Sequence, residues 1–131
     1  MKSTAVHALT LSVLLVGSAG SAMADGDPVR GEELFRQCMA CHSLNEGENR
    51  VGPSLYGMFG REAGTVDRYN YTPAMRDSGI VWTADTLDAH LADPRGFIPG
   101  NRMGMTFPRG VSDAQDRADL ISYLEQATAP Q

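Results

Sequence analysis

Towards the C-terminus apolar residues recur at helical spacing. Ala114, Ala118, Ile121 and Leu124 share one face, and Leu120 and Tyr123 widen the stripe. Ser112 and Gln115 have the spacing of a capping box and predict where this helix begins. A second helix is predicted from "DGDPVRGEELFRQCMACH", with Asp27 as N-cap and Pro28 at the first helical position. Glu32 and Glu33 are expected early enough in it to favour the helix dipole. Gly31 is out of place there, because glycine inside a helix costs about 1 kcal/mol relative to alanine. A close crossing by another helix would account for it. "TPAMRDSG" predicts a short helix capped by Thr72, with Pro73 in its first turn and Gly79 past its end. "TADTLDAHLADP" predicts another, opened by Thr83 and stopped by Pro94.

The remainder lacks a period. Residues 43–71 carry five glycines, and "DPRGFIPGNRMGMTFPRG" is rich in Gly and Pro, so both are expected to be loops. No stretch alternates as a strand would, and no internal repeat is present. Loops of this length are uncommon in a compact domain unless they wrap something or are disordered. Here they carry Val51, Leu55, Tyr56, Met58, Phe59, Phe97, Ile98 and Phe107. That content argues for wrapping an apolar object.

The first 24 residues read differently. Lys2, the apolar run "ALTLSVLLVG" and the small-residue site Ala22-Met23-Ala24 predict a secretory signal peptide, residues 1–24, cut before Asp25. A retained membrane anchor is the alternative, disfavoured because the run is short for a bilayer and the cleavage site is in place. Removal leaves 107 of the 131 residues, residues 25–131, one domain with a thin core that a large buried cofactor would support. Of the 11 Lys and Arg only Lys2 is lysine, so ten arginines face 16 acidic residues after cleavage, a formal charge of −6. Nucleic acid is a poor partner for such a surface. No later stretch is apolar enough to span a membrane, so a periplasmic location follows.

Both cysteines lie in "CMACHS", residues 38–43. A thioredoxin-like redox pair would need a βαβ context, which is missing. A closed zinc site needs four ligands, and beyond Cys38, Cys41 and His42 only His90 remains among strong nitrogen or sulfur donors after the signal. Cys38-Met39-Ala40-Cys41-His42 meets the CxxCH requirement for covalent haem. Thiols about a helical turn apart can add to the two vinyl groups on one porphyrin edge. The adjacent histidine then ligates iron from below.

Further segments extend this reading: "GEELFRQCMACHSL", "VGPSLYGMFGREAG", "YNYTPAM", "SGIVW", "LADPRGFIPGNRM" and "RADLISYLEQAT". Together they resemble a class I cytochrome c of the mitochondrial and purple-bacterial short-chain type, over residues 26–128. The resemblance implies an all-α fold, its helices and long loops wrapped around one haem c attached through Cys38 and Cys41. It implies that the first and last helices cross beside CxxCH, with Gly31, Phe35, Leu120 and Tyr123 at the contact. It further implies that the Pro53 carbonyl orients His42, and that Arg61, Tyr71 and Trp82 hold a haem propionate. Each of those three also has an ordinary reading, as surface charge, turn residue and core packing.

The resemblance implies a methionine sixth ligand, which "PGNRM" assigns to Met103. An apparent two-residue insertion near "GMTFPRG" leaves Met105 as the alternative. Two departures stand out. The family usually rings its haem edge with lysines, whereas here Arg36, Arg95, Arg102 and Arg109 are the candidates for a docking rim. His90 stands where the family commonly has tyrosine. On a face with Leu87 and Leu91 it is expected to point inward, as a neutral core histidine with one satisfied hydrogen bond or as a tuner of the methionine–iron bond or spare ligand.

The implied function is a monomeric, periplasmic one-electron carrier, not an enzyme, with no membrane span and no nucleic-acid partner. It would run between a respiratory or photosynthetic membrane complex or dehydrogenase and a terminal oxidase or reaction centre. The alternative is a peroxidase-like haem enzyme or the electron-accepting subunit of a periplasmic dehydrogenase. A peroxidase needs an open sixth position, and "PGNRM" argues against one.

Overall fold

The computed structural model describes residues 25–130, so the predicted signal peptide lies outside the described residues. Six helices follow in order: α1 Pro28–Phe35, α2 Pro73–Arg76, α3 Ala84–Ala92, α4 Pro94–Phe97, α5 Arg102–Thr106 and α6 Ala114–Ala127. Among the described residues the β-structure is a single isolated bridge, Glu62 to Val81.

The first helix starts as its sequence dictates. The Asp27 carboxylate accepts from the Val29 and Arg30 amides at 2.9 and 3.3 Å, and Pro28 fills the first turn, where no N–H is needed. Glu32 and Glu33 fall beyond that first turn, so they do not gain from the dipole as expected. The last helix corrects a second expectation. Its cap is Asp113, whose carboxylate accepts from the Asp116 amide at 2.9 Å, and not a Ser112–Gln115 box. Gln115 instead donates to Asp119 at 2.9 Å. A capping box does occur at α3, where Thr83 and Thr86 each accept from the other's amide, at 3.2 and 2.8 Å.

The Gly/Pro-rich segment expected as loop holds α4 and α5. Asp93 caps the first of these through the Gly96 amide. Asn101, only 1% exposed, caps the second through the Gly104 amide at 2.8 Å and donates to the carbonyls of Pro94 and Ile98. Local side-chain capping thus makes helices of stretches too short to show a period.

Gly31 is buried because α1 crosses α6 there. A Cβ on it would overlap the Asp119 carbonyl oxygen and lie 2.7 Å from Tyr123 Cβ. Gly26 meets Ala118 and Ser122 in the same way. The crossing is fastened by polar contacts as well. The Asp119 carboxylate, almost fully buried, accepts from the Asp27 amide at 2.8 Å, from Gln115 and from Arg30. The Asp27 amide first, then Gln115 and Arg30, hold this carboxyl below its ordinary range against the opposing effect of burial. Phe35 packs on Tyr123 with ring centroids 5.6 Å apart. Phe35, Leu120, Ile121 and Leu124 from the crossing join Leu87 and Leu91 of α3, with Met58 and Val111, in one core.

Candidate functional site

Immediately after α1 the chain coils through CxxCH in tight turns. Cys38 N–H donates to Phe35 at 2.8 Å, and both Cys41 and His42 donate to the Cys38 carbonyl, at 3.1 and 2.9 Å. Cys38, Cys41 and His42 are thereby brought together on the wall of a largely apolar cavity of about 350 Å³. Phe35, Leu120 and Leu124 from the helix crossing floor it, and Leu87 and Leu91 of α3 form another side.

The His42 ring is fixed twice. Its Nδ1–H donates to the Pro53 carbonyl at 2.8 Å, which leaves Nε2 as the nitrogen with a free lone pair. Gly52 lies directly against the ring, where a Cβ would be 2.8 Å from Nδ1. Burial lowers the His42 pKa, and the Pro53 bond opposes that shift. The imidazole is therefore neutral, oriented and ready to ligate. Burial, then the neighbouring Cys41, pushes the Cys38 thiol up to about 11, the opposite of the activated thiolate a redox pair requires. No cluster of three or more His, Cys, Asp or Glu suited to a metal ion occurs among the described residues. Thiols one turn apart, a histidine with its tautomer set and apolar walls fit haem c.

The other predicted residues divide. Met103 is half-buried on the cavity wall, whereas Met105 is 62% exposed and off it. Tyr71 lines the cavity, and burial raises its pKa. Arg61 and Trp82 do not reach the wall. The Arg61 guanidinium donates to the carbonyls of Tyr56 and Ser54 at 2.7 and 3.3 Å, and burial lowers its pKa. Trp82 is tied to it by a hydrogen bond from its backbone N–H to the Arg61 carbonyl, 3.0 Å, and packs on His90.

His90 points inward as expected, 4% exposed, between Trp82 and Phe97 at centroid distances of 5.2 and 5.9 Å. The expected satisfied hydrogen bond is not found at Nδ1, which is buried without a partner. Burial first, then His42, pushes the His90 pKa down to about 4, so the ring is neutral. Arg36, Arg95 and Arg109 are exposed and off the wall, while Arg102 is half-buried on it. The wrapping loops hold: Met58 and Ile98 are buried, Leu55, Tyr56, Phe59, Phe97 and Phe107 half-buried, and Val51 alone is exposed, at the cavity edge.

Sequence reasoning missed Tyr69 and Met75, both on the wall. The aromatic pair in "YNY" was the available signal for Tyr69, since i and i+2 residues of an extended stretch share a side.

Residues 28–128 match the family model described as Cytochrome c. The chain is 50% identical to cytochrome c2 of Rhodopila globiformis over 101 residues, 76% of this chain and 92% of that one. It is 38% identical to cytochrome c2 of Blastochloris viridis over 122 residues, 92% of this chain and 94% of the other. Among solved structures, cytochrome cH from Methylobacterium extorquens superposes with a TM-score of 0.70 at 41% identity, covering 77% of this chain and 99% of that chain.

The chain belongs to the cytochrome c family. It is a class I cytochrome c, a monohaem electron carrier and not an enzyme, with haem c attached through the CxxCH cysteines Cys38 and Cys41. As a cytochrome c it has redox proteins as partners. No helix among the described residues is long and apolar enough to cross a membrane.

Proposed function

We propose that this cytochrome c is a soluble, monomeric periplasmic shuttle with His42 and Met103 as axial ligands. Haem supplies, when bound, one iron that cycles between ferric and ferrous states. His42, oriented by Pro53, would hold the iron through Nε2. Met103 would offer the iron a soft thioether, a ligand that favours the ferrous state and raises the potential. The apolar walls exclude water and keep the local dielectric low. Tyr71 on the cavity wall would meet a haem propionate, with the Arg61 charge acting on it and Trp82 joined to Arg61 through the backbone.

The observation that carries this reading is the placement of the two methionines, Met103 on the cavity wall and Met105 out in solvent. Met103→Ala should abolish the weak red-end absorption band of methionine-bound ferric haem, while Met105→Ala leaves it nearly intact. Loss of the band in Met105→Ala alone overturns the assignment.

The partner is a membrane cytochrome complex or dehydrogenase on one side and a terminal oxidase or reaction centre on the other. Docking uses the cavity edge near Arg36, Arg95 and Arg102, a cationic rim on an otherwise acidic protein. Exposed charges are screened beyond about 8 Å at physiological ionic strength. Association should therefore weaken with salt, and Arg36→Glu should slow transfer by lowering the on-rate. Faster transfer in Arg36→Glu would instead assign docking to a basic partner on the acidic face.

A further inference from the structure

We infer that Tyr69 and Arg102 form a clasp that holds the Met103 segment closed over the cavity, which makes both of them positioning residues for the sixth ligand. The Tyr69 hydroxyl donates to the Val51 carbonyl at 2.6 Å and accepts from the Arg102 guanidinium at 3.0 Å. That guanidinium also lies over the phenol ring, 5.6 Å from its centroid. The ring in turn packs edge-on against Tyr71, with centroids 4.6 Å apart.

One phenol therefore joins the two sides of the cavity. Val51 directly precedes Gly52 and Pro53, which fix His42, and Arg102 directly precedes Met103. The loop carrying Tyr69 is itself tied down, because the Asn49 side chain donates to the Asp67 carbonyl at 3.0 Å. Helix α5 has few other anchors. Among the described residues, the Arg102–Tyr69 bond is the one hydrogen bond that α5 makes outside residues 94 to 107. Short helices have little stability of their own, so the segment depends on such links to stay in place. Arg102 thus adds a bond beneath the rim to the charge it contributes there.

The inference rests on Met103 as sixth ligand, and the test separates the two. Imidazole is titrated into the ferric holoprotein, where it must displace the native sixth ligand, and the red-end band is followed. Tyr69→Phe keeps the ring and removes the hydroxyl. It should tighten apparent imidazole binding about fivefold, the worth of one ordinary hydrogen bond. Arg102→Gln should act to a similar extent, Arg102→Lys should stay near wild type at neutral pH, and the double variant should not exceed the larger single effect by much. General loosening of the fold would multiply the two effects. Unchanged imidazole affinity in Tyr69→Phe, or independent multiplication in the double variant, overturns the clasp. Should Arg102→Gln fail to hold haem, Tyr69→Phe decides alone. If the wild-type band survives Met103→Ala, the ligand assignment has failed, whatever the clasp variants do.

Discussion

Replacing Gly31 by alanine sets two known effects against each other. Alanine in a helix interior is favoured over glycine by about 1 kcal/mol, so propensity alone predicts a more stable protein. Packing predicts the reverse. The new Cβ would lie 2.7 Å from both the Asp119 carbonyl carbon and Tyr123 Cβ, and closer still to the Asp119 carbonyl oxygen. Carbon contacts are optimal near ~3.5–4.0 Å, so α1 and α6 would have to part by roughly 1 Å. Overpacking of this kind costs about 1–3 kcal/mol, and the upper end applies because the obstacle is backbone, which cannot rotate away. The net expectation is a loss of about 2 kcal/mol, which for a domain of this size lowers Tm by about 10 °C. Thermal unfolding of the ferrous holoprotein, followed by circular dichroism, measures it. Val29→Ala, on the exposed side of the same helix, controls for propensity and should melt at or slightly above wild type. A Gly31→Ala protein as stable as wild type would refute the reasoning. Propensity would then outweigh the contact, and the close crossing would not be what requires glycine.

Two further outcomes follow from the charge and burial pattern. His90 is held at about 4 in the folded protein against an ordinary value of 6.5. Between those values the unfolded chain binds a proton that the folded chain refuses, so this contribution to stability is complete above pH 6.5 and falls as pH drops towards 4. The loss should approach about 3 kcal/mol. Urea unfolding across that range should show it, His90→Phe should flatten the slope, and parallel curves for the two proteins would sink the idea. At high pH, a deprotonated lysine amine can displace an axial methionine, yet no lysine follows Lys2, and the arginines that stand instead keep their protons throughout the accessible range. The ferric methionine band should persist to higher pH than in lysine-bearing cytochromes c, with His90 or hydroxide taking the site when it is lost. A pH titration with and without His90→Phe checks this. An ordinary alkaline transition, unchanged by the substitution and free of hydroxide features, would count against it.

Much of the site was legible in the chain because covalent and ligand chemistry impose local spacing. Cys38, Cys41 and His42 lie within five consecutive residues, so their joint geometry is set by a turn or two of backbone. The caps at Asp27, Thr72 and Thr83 were equally local, as was the inward face of Leu87, His90 and Leu91. The oddity of Gly31 even announced the helix crossing before its partner was known. Other features depended on residues far apart in sequence. Asp119 of α6 lies outside the apolar stripe that the chain displays, and only its meeting with Asp27 and Arg30 of α1 makes a buried carboxylate favourable. Short helices α4 and α5 arise from Asp93 and from Asn101, whose buried amide closes a loop too short to carry a period. Sequence could not choose with certainty between Met103 and Met105, two residues apart. Tertiary folding turned one thioether to the cavity and the other to solvent: Asn101 anchors the start of α5 to Pro94 and Ile98, and Arg102 bonds to Tyr69, a residue far away in sequence.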